Sequence, residues 1–402
     1  MSETRYDDSI VIIGNGIAGV SAAEAARKNN KEVRITIISD ENYPAYYRLR
    51  LCELITNEQE YSNELILHDD QWYSDRNIEV ILGKRVIKIY PDEKSIQLNT
   101  GENIKYCKLI IASGSSSRIP EVPGNDKSGV YGFRTLDDIK KIKEKLKNAS
   151  EVVILGGGLL GLEAAYNLNR KGLNVSIVEL SQFLLPKQLD RKASLLFEKK
   201  VRSLGINLYC GLSARAIEGG ASVEKVILDN GYSIKTDFVL YSAGVMSNTG
   251  FAGYSGIDVG RGIVVDQRMM TQNPDIYACG DVAEFQRCMP GQWSVAMNQG
   301  RVAGINASGG EAEYSCSIMP YFLNTMGIKI YSIEDVGKNG GVYDTLEYSD
   351  EGNYIYQKLF FLNECCVGGI LMGDIESFNR INTAIKKRLS KKEVIEQKLI
   401  KQ

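Results

Sequence analysis

Two glycine-rich hexapeptides hold the residues of this chain best suited to chemistry. The first, Gly14-Asn15-Gly16-Ile17-Ala18-Gly19, follows the apolar run Ile10-Val11-Ile12-Ile13. The second, Gly156-Gly157-Gly158-Leu159-Leu160-Gly161, follows Val152-Val153-Ile154-Leu155. In each, the first glycine permits a sharp turn out of a strand and the second lacks the Cβ that would block a pyrophosphate. The third lets a helix pack tightly on the sheet. Diphosphate charge then rests at a helix N-terminus, against unpaired N–H groups and the positive end of the dipole. A carboxylate at the end of the next strand, about 20 residues on, accepts the adenosine ribose hydroxyls. Asp40 and Glu41 stand just past Arg34-Ile35-Thr36-Ile37-Ile38, and Glu179 ends Val175-Ser176-Ile177-Val178. One such loop is a weak signal. Two, each in strand–turn–helix order, predict a chain that binds two dinucleotides.

The elements that must position these loops can be read around them. Segments up to about residue 40 alternate strand, helix, strand, as a doubly wound sheet requires. Ile78 to Leu82, Val86 to Tyr90 and Ser95 to Leu98 are short runs separated by turn residues, which predicts antiparallel strands. Leu109-Ile110-Ile111-Ala112 is a further buried strand closed by Ser113-Gly114, and the lysine-rich stretch 137–148 predicts an exposed helix. A third sheet-like region starts near Pro320. There Tyr331, Tyr343, Tyr348, Tyr354 and Tyr356 alternate with polar residues, predicting antiparallel sheet, and a basic helix from Ile381 to Arg388 and onward follows.

Bulk properties exclude several classes. The chain has 402 residues, enough for two or three domains, and a net charge of -2, which argues against a nucleic-acid or membrane-surface binder. It has no apolar run of about 18 residues, and it begins polar and acidic, Met1-Ser2-Glu3-Thr4. A soluble, cytoplasmic protein is therefore expected. None of the eight cysteines forms a C-x-x-C pair, so no iron–sulfur cluster, structural zinc or other metal site is expected. The thiols are expected to be reduced, and Cys52 to be a packing residue.

Further motifs resemble the pyridine nucleotide-disulfide oxidoreductase superfamily, the flavoprotein reductases with two dinucleotide-binding domains. Ala112-Ser113-Gly114 is similar to the family's "ATG" turn, and Arg118-Ile119-Pro120, Pro123-Gly124 and Arg134-Thr135-Leu136-Asp137-Asp138 continue the likeness. So do Glu163-Ala164-Ala165, Leu184 to Asp190 and the return strand Phe238 to Gly244, although Met246-Ser247 replaces the usual Arg/Lys-Pro. Asp275-Ile276-Tyr277-Ala278-Cys279-Gly280-Asp281-Val282 closely resembles the second FAD motif. Tyr46-Tyr47-Arg48-Leu49-Arg50-Leu51 narrows the likeness to NADH:rubredoxin oxidoreductases and the flavoprotein part of NADH-dependent nitrite reductases.

The resemblance implies an α/β fold of two nested doubly wound, Rossmann-like domains plus a small α+β C-terminal domain. The FAD domain would be discontinuous, 1–118 plus 240–316, with the NAD domain at 119–239 and the C-terminal domain at 317–402. Non-covalent FAD would be held by Gly14, Gly16, Ala18, Gly19, Asp40, Glu41, Arg48, Val86, Ala112, Ser113, Gly114, Gly280, Asp281 and Val282. Gly156, Gly158, Leu160, Gly161, Glu179 and Gly244 would hold the nicotinamide nucleotide, with Glu163 pointing at the nicotinamide as the catalytic residue. Glu179, followed by Leu180-Ser181-Gln182-Phe183 with no arginine, would repel a 2′-phosphate, so NADH is expected over NADPH.

Disulfide reductases of the superfamily use a cysteine pair beside the flavin and a C-terminal histidine. The single histidine here, His68, lies early, and aligning single-cysteine relatives on Tyr46 puts Asn42 where their redox cysteine stands. Where monooxygenase-linked ferredoxin reductases place a lysine, this chain has Glu53. Electrons are thus expected to leave the flavin directly, to a small rubredoxin-like electron-transfer protein. An oxygen-reducing NADH oxidase, the input flavoprotein of a nitrite reductase system and a non-enzymatic NADH-sensing flavoprotein stay open. Arg48, Arg50, Lys187, Arg191 and Lys192 could form a docking rim for an acidic partner, or be ordinary surface charges with Arg48 on the FAD phosphates. A monomer or weak homodimer is expected.

Overall fold

The computed structural model describes residues 9–56, 63–253, 255–316, 320–338 and 340–401. The polar start at residues 1–4 lies outside them. The chain divides into two compact units, one of Met1–Arg50, Gln59–Ser116 and Val245–Ser317, the other of Leu51–Glu58, Ser117–Gly244 and Ile318–Gln402.

The first unit is built on a five-stranded parallel sheet. Its order is Ile276–Ala278, Lys108–Ile111, Ser9–Ile13, Arg34–Ile38, Ile78–Ile81. The central strands are near-continuous Ile/Val runs, buried on both faces as a parallel sheet between helices demands. The helix Ile17–Asn29 leaves the first loop and lies against the helix Trp293–Ala307. Their approach is close: a Cβ on Gly300 would sit 2.2 Å from the Ala18 carbonyl oxygen, and one on Gly304 2.1 Å from that of Ala22. Small residues on both helices let backbone meet backbone.

One expectation needs correction here. Val86–Tyr90 and Ser95–Leu98 do form antiparallel sheet, with Asn103–Lys105. Ile78–Ile81, however, pairs parallel with Arg34–Ile38 at the edge of the main sheet. An edge strand is only half covered, so its mixed apolar and polar run looks like a hairpin arm.

The second unit repeats the design. Its parallel sheet runs Asn207–Cys210, Asn174–Glu179, Glu151–Leu155, Phe238–Tyr241, Val130–Gly132, and the helix Leu159–Arg170 follows the second loop. The lysine-rich helix Leu136–Leu146 starts in a Thr135/Asp138 capping box and buries Leu136, Ile139 and Ile142 along one side. In the C-terminal part, a five-stranded antiparallel sheet spans Tyr321–Thr325 to Cys365–Met372. Two short helices, Phe378–Lys386 and Lys391–Glu396, close it over a core that includes Tyr331, Leu359, Phe361, Ile381 and Val394. The α/β expectation with an added antiparallel C-terminal region is borne out.

This C-terminal sheet is fastened to the segment before helix Arg191–Ser203. Asp190 caps that helix through the Ala193 N–H at 2.9 Å, while its other carboxylate oxygen accepts from Tyr356 Oη at 2.8 Å and Lys358 Nζ at 3.0 Å. Glu347 takes Lys192 at 2.6 Å and Lys358 at 3.2 Å. Lys338 donates to the Leu189 carbonyl at 2.9 Å.

Candidate coenzyme sites

In the first loop Gly14 has φ +110°, and a Cβ there would lie 2.2 Å from the Ala112 carbonyl oxygen. A Cβ on Gly19 would meet the Gly14 carbonyl at 2.0 Å, whereas one on Gly16 meets nothing within 4 Å. The outer two glycines are therefore demanded by packing, and the middle one opens onto free space. Gly16 is the N-cap of its helix and supplies no side-chain cap, so that space borders helix N–H groups suited to an anion. Asn15 is buried, accepts at its Oδ1 from Tyr73 Oη at 3.2 Å, and has an unpartnered buried Nδ2. Such an orphan donor is costly unless a ligand meets it. These features fit a dinucleotide diphosphate.

Two of the first-unit segments, Ala112 to Gly114 and Gly280, border the same loop and its helix. Ala112-Ser113-Gly114 backs Gly14, and Asn248 ties it down: Asn248 Nδ2 donates to the Ser113 carbonyl at 2.9 Å and Ser113 Oγ to that of Asn248 at 3.0 Å. Gly280, at φ +78°, packs on Ala18, and its N–H is held by Gln299 Oε1 at 2.9 Å. Asp281 accepts from Ser115 Oγ at 2.9 Å, and Val282 is buried. Glu41 accepts from Tyr46 Oη at 2.7 Å and from Arg48, whose guanidinium also reaches Tyr46 Oη at 2.7 Å. Burial works against the Arg48 charge, yet Tyr46, Glu41 and Asp281 together hold its pKa above the ordinary value. Asp40 is exposed and 3.6 Å from Arg85, and Val86 points into the interior.

The second loop has the same geometry. A Cβ on Gly156 would lie 2.3 Å from the Ser242 carbonyl and one on Gly161 2.1 Å from that of Gly156, while Gly158 faces nothing within 4 Å. Glu179 is already oriented: one carboxylate oxygen accepts from the Gly157 N–H and the other from the Ser181 N–H, both at 2.7 Å. Leu180 beside it is 74% exposed. Gly244, at φ +93°, ends the return strand with open space at its Cβ position. Glu163 and Leu160 lie on the helix Leu159–Arg170. Burial raises the Glu163 pKa, a hydrogen bond from Cys52 opposes the rise, and Glu53 adds to it.

Several residues lie outside these groupings. His68 is not brought to either loop; it stacks on Trp72 at 3.8 Å, and burial lowers its pKa. Trp293 stacks on Tyr47 at 5.7 Å. Of the docking candidates, Arg48 is engaged with Glu41 and Lys192 with Glu347. All eight cysteines are free thiols, and among the described residues no metal-binding cluster is found. No described helix is long and apolar enough to cross a membrane. Sequence reasoning missed Asn15, Ser115, Gln299 and Asn248. Asn15 alone had a signal, lying inside the glycine loop.

Comparison with known proteins gives two matches to family descriptions. "Pyridine nucleotide-disulphide oxidoreductase" covers residues 8–300, and "Rubredoxin NAD+ reductase C-terminal domain" covers residues 321–389. The chain is 39% identical over 330 residues to the NADH-rubredoxin oxidoreductase of Clostridium acetobutylicum, covering 82% of each. The crystal structure of that organism's NADH:rubredoxin oxidoreductase superposes with a TM-score of 0.80 at 34% identity, over 95% of this chain and 96% of the other. The assimilatory nitrate reductase electron transfer subunit of Bacillus subtilis is 31% identical over 96% of this chain. The chain spans about half the length of that protein and of the B. subtilis nitrite reductase, 51% and 47%.

Proposed function

The chain belongs to the pyridine nucleotide-disulphide oxidoreductase family, and on that premise we propose that it oxidises NADH through FAD and passes electrons to a small rubredoxin-like protein. The observation that carries this reading is the duplicated cradle, with Gly16 and Gly158 each open above a helix N-terminus. FAD, when bound, supplies the change from a two-electron donor to one-electron acceptors.

The chain's own residues bind, orient and select. Gly14, Gly16, Ala18 and Gly19 would hold the FAD diphosphate with Ala112, Ser113, Gly114, Gly280, Asp281 and Val282, and Arg48 would add positive charge. Asp40 and Glu41 would serve the ribose, and Val86 would line the adenosine end. Gly156, Gly158, Leu160, Gly161 and Gly244 would shape the second site. Glu179 would accept the NADH ribose hydroxyls and repel a 2′-phosphate, favouring NADH over NADPH. Glu163 would face the nicotinamide. The FAD domain is proposed as 1–118 with 240–316, the NAD domain as 119–239 and the C-terminal domain as 317–402.

A thiol relay is disfavoured by Cys52 itself: burial, then Glu163 and Glu53, push its pKa well above the ordinary value, so the attacking thiolate is suppressed. The match of residues 321–389 to a rubredoxin reductase domain supports rubredoxin as the acceptor type. The longer B. subtilis relatives support a second reading, electron input to a nitrate- or nitrite-reducing system. Stopped-flow mixing of NADH-reduced protein with rubredoxin, ferredoxin and oxygen tests the first. Fastest reoxidation by rubredoxin is expected; a chain that takes up no FAD, or is reoxidised fastest by oxygen, refutes the first reading.

A further inference from the structure

The helix Arg191–Ser203 turns two polar side chains inward, Ser194 and Glu198, four residues apart and so on one face. Ser194 is wholly buried and Glu198 is 9% exposed. Both meet the backbone of one residue, Leu184, in the stretch that follows Glu179. Ser194 Oγ donates to the Leu184 carbonyl at 2.7 Å, and the Leu184 N–H donates to Glu198 Oε1 at 3.1 Å. The Cys210 thiol lies 3.8 Å from the same Oε1. Leu184 belongs to no strand or helix, so these two side chains do for its main chain what a ladder does elsewhere. A buried N–H or carbonyl left unmet is costly.

Leu184 in turn borders the second glycine loop. Its side chain is fully buried, and a Cβ added to Gly157 would lie 2.6 Å from Leu184 Cδ2 and 3.2 Å from the Glu179 Cβ. Gly157 therefore faces both side chains, and its N–H is held by the Glu179 carboxylate at 2.7 Å. A shift of Leu184 moves one wall of that slot, and with it the loop and Glu179. The helix is a firm base for this wall, because its cap Asp190 is gripped by Tyr356 and Lys358. Covering a carboxyl group costs more than covering an apolar side chain. Packing alone would favour leucine or methionine at position 198.

We propose that Ser194 and Glu198 are positioning residues of the coenzyme site: by holding the Leu184 main chain they set the wall against which Gly157 and Glu179 receive the adenosine half of the nucleotide. This rests on the second loop binding the nicotinamide nucleotide. Both residues act through Leu184, so they govern how tightly the coenzyme is held and not the transfer of hydride.

The test uses the full FAD-loaded chain, NADH as donor and ferricyanide as acceptor, with NAD+ affinity measured by calorimetry. Glu198→Leu leaves the Leu184 N–H unmet. It should raise the KM for NADH and the Kd for NAD+ about tenfold, with kcat per bound FAD unchanged. Glu198→Gln keeps an acceptor oxygen and should stay within about threefold of the parent. Val201, buried on the same helix, controls for lost stability: Val201→Ala should lower the melting temperature and leave KM and Kd unchanged. If Glu198→Leu does not fold, Ser194→Ala, which leaves the Leu184 carbonyl unmet, carries the same expectation. A variant that lowers kcat at unchanged KM, or Val201→Ala weakening NAD+ as much as Glu198→Leu, overturns the proposal. Unchanged affinity in Glu198→Leu beside weakened binding in Gly158→Ala overturns it and leaves the coenzyme reading standing. Unchanged affinity in both removes the coenzyme reading, and the positioning role with it.

Discussion

Gly158→Ala separates binding from folding, because the glycines of one loop serve different ends. Gly158 has φ -78° and ψ -177°, extended backbone open to any residue, and its Cβ would meet nothing within 4 Å. Alanine is a poorer N-cap than glycine by about 1 kcal/mol, but it reduces the freedom of the unfolded chain by about 0.4–1 kcal/mol. The two offset, so the melting temperature should move by less than about 2 °C. The added methyl does occupy the space above the helix N-terminus. Holding a diphosphate away from two backbone N–H groups forfeits about 1.5 kcal/mol for each charge-assisted bond. The sum, about 3 kcal/mol, is roughly 100-fold in Kd. Gly161→Ala is the contrast: its Cβ would lie 2.1 Å from the Gly156 carbonyl oxygen, and relieving that overlap should cost about 2 kcal/mol or more of stability. NAD+ calorimetry and thermal unfolding of both variants, with FAD content checked by absorbance, give the answer. NAD+ affinity within about threefold of the parent in Gly158→Ala, or unfolding as easy as in Gly161→Ala, refutes the reasoning.

Glu179→Ala combined with Leu180→Arg should invert coenzyme preference, cutting the NADH/NADPH ratio of kcat/KM at least about tenfold, since a cation replaces the carboxylate that faces a 2′-phosphate; an unchanged ratio means Glu179 does not meet the ribose. Lys358→Met should lower the urea-unfolding free energy by about 2 kcal/mol, because it removes the cation that Asp190 and Glu347, both mostly covered, share. A neutral result would mean water replaces the lysine. Asp275 carries a pH signature: burial would raise its pKa, but Lys108 and Lys94 outweigh burial and hold it below the ordinary value. A depressed carboxyl contributes stability above its unfolded pKa of about 3.9 and loses it as pH falls through the lower folded value. The stability gap between the parent and Asp275→Asn should therefore be full at pH 6 and shrink below about pH 4; a gap independent of pH refutes the pairing. In native protein, exposed Cys288 and Cys316 should react promptly with a thiol reagent, whereas buried Cys52, Cys279 and Cys366 should react only on unfolding.

The two cradles were legible because their demands are local. A turn that brings Gly14 against Ala112 and Gly19 against the Gly14 carbonyl admits no side chain at either position, and such a constraint is written within six residues. The contact of Glu179 with its loop was legible for the same reason, since a strand of known length carries its carboxylate to the Gly157 N–H. Ile78–Ile81 was misplaced because pairing with Arg34–Ile38 is a choice of partner across intervening chain, and a half-covered edge strand advertises neither partner nor direction. The Asp190, Glu347 and Lys358 cluster was invisible for a like reason. Each residue alone is an ordinary charge: strand pairing sets Glu347 opposite Lys358 at 3.2 Å, and only the docking of the C-terminal sheet adds Asp190 at 3.0 Å.

Cys52 shows where pattern reading is biased rather than blind. Leu51, Cys52 and Leu54 are all buried on a one-turn helix, so the apolar pattern absorbs the cysteine as one more small hydrophobe. Its position also excludes the thiolate chemistry usually sought from cysteine, which removes the other reason to examine it. What remains is a covered thiol that burial and the neighbouring Glu163 hold protonated, a property that leaves no periodicity. The partner that gives it meaning stands on another helix, and Glu163 was itself singled out for the coenzyme and not for its neighbour. A group singled out for a ligand has neighbours whose types look unremarkable in sequence. Those neighbours emerge only from the packing, because the contact between the helices Leu51–Leu54 and Leu159–Arg170 is a choice of partner across more than a hundred residues of chain.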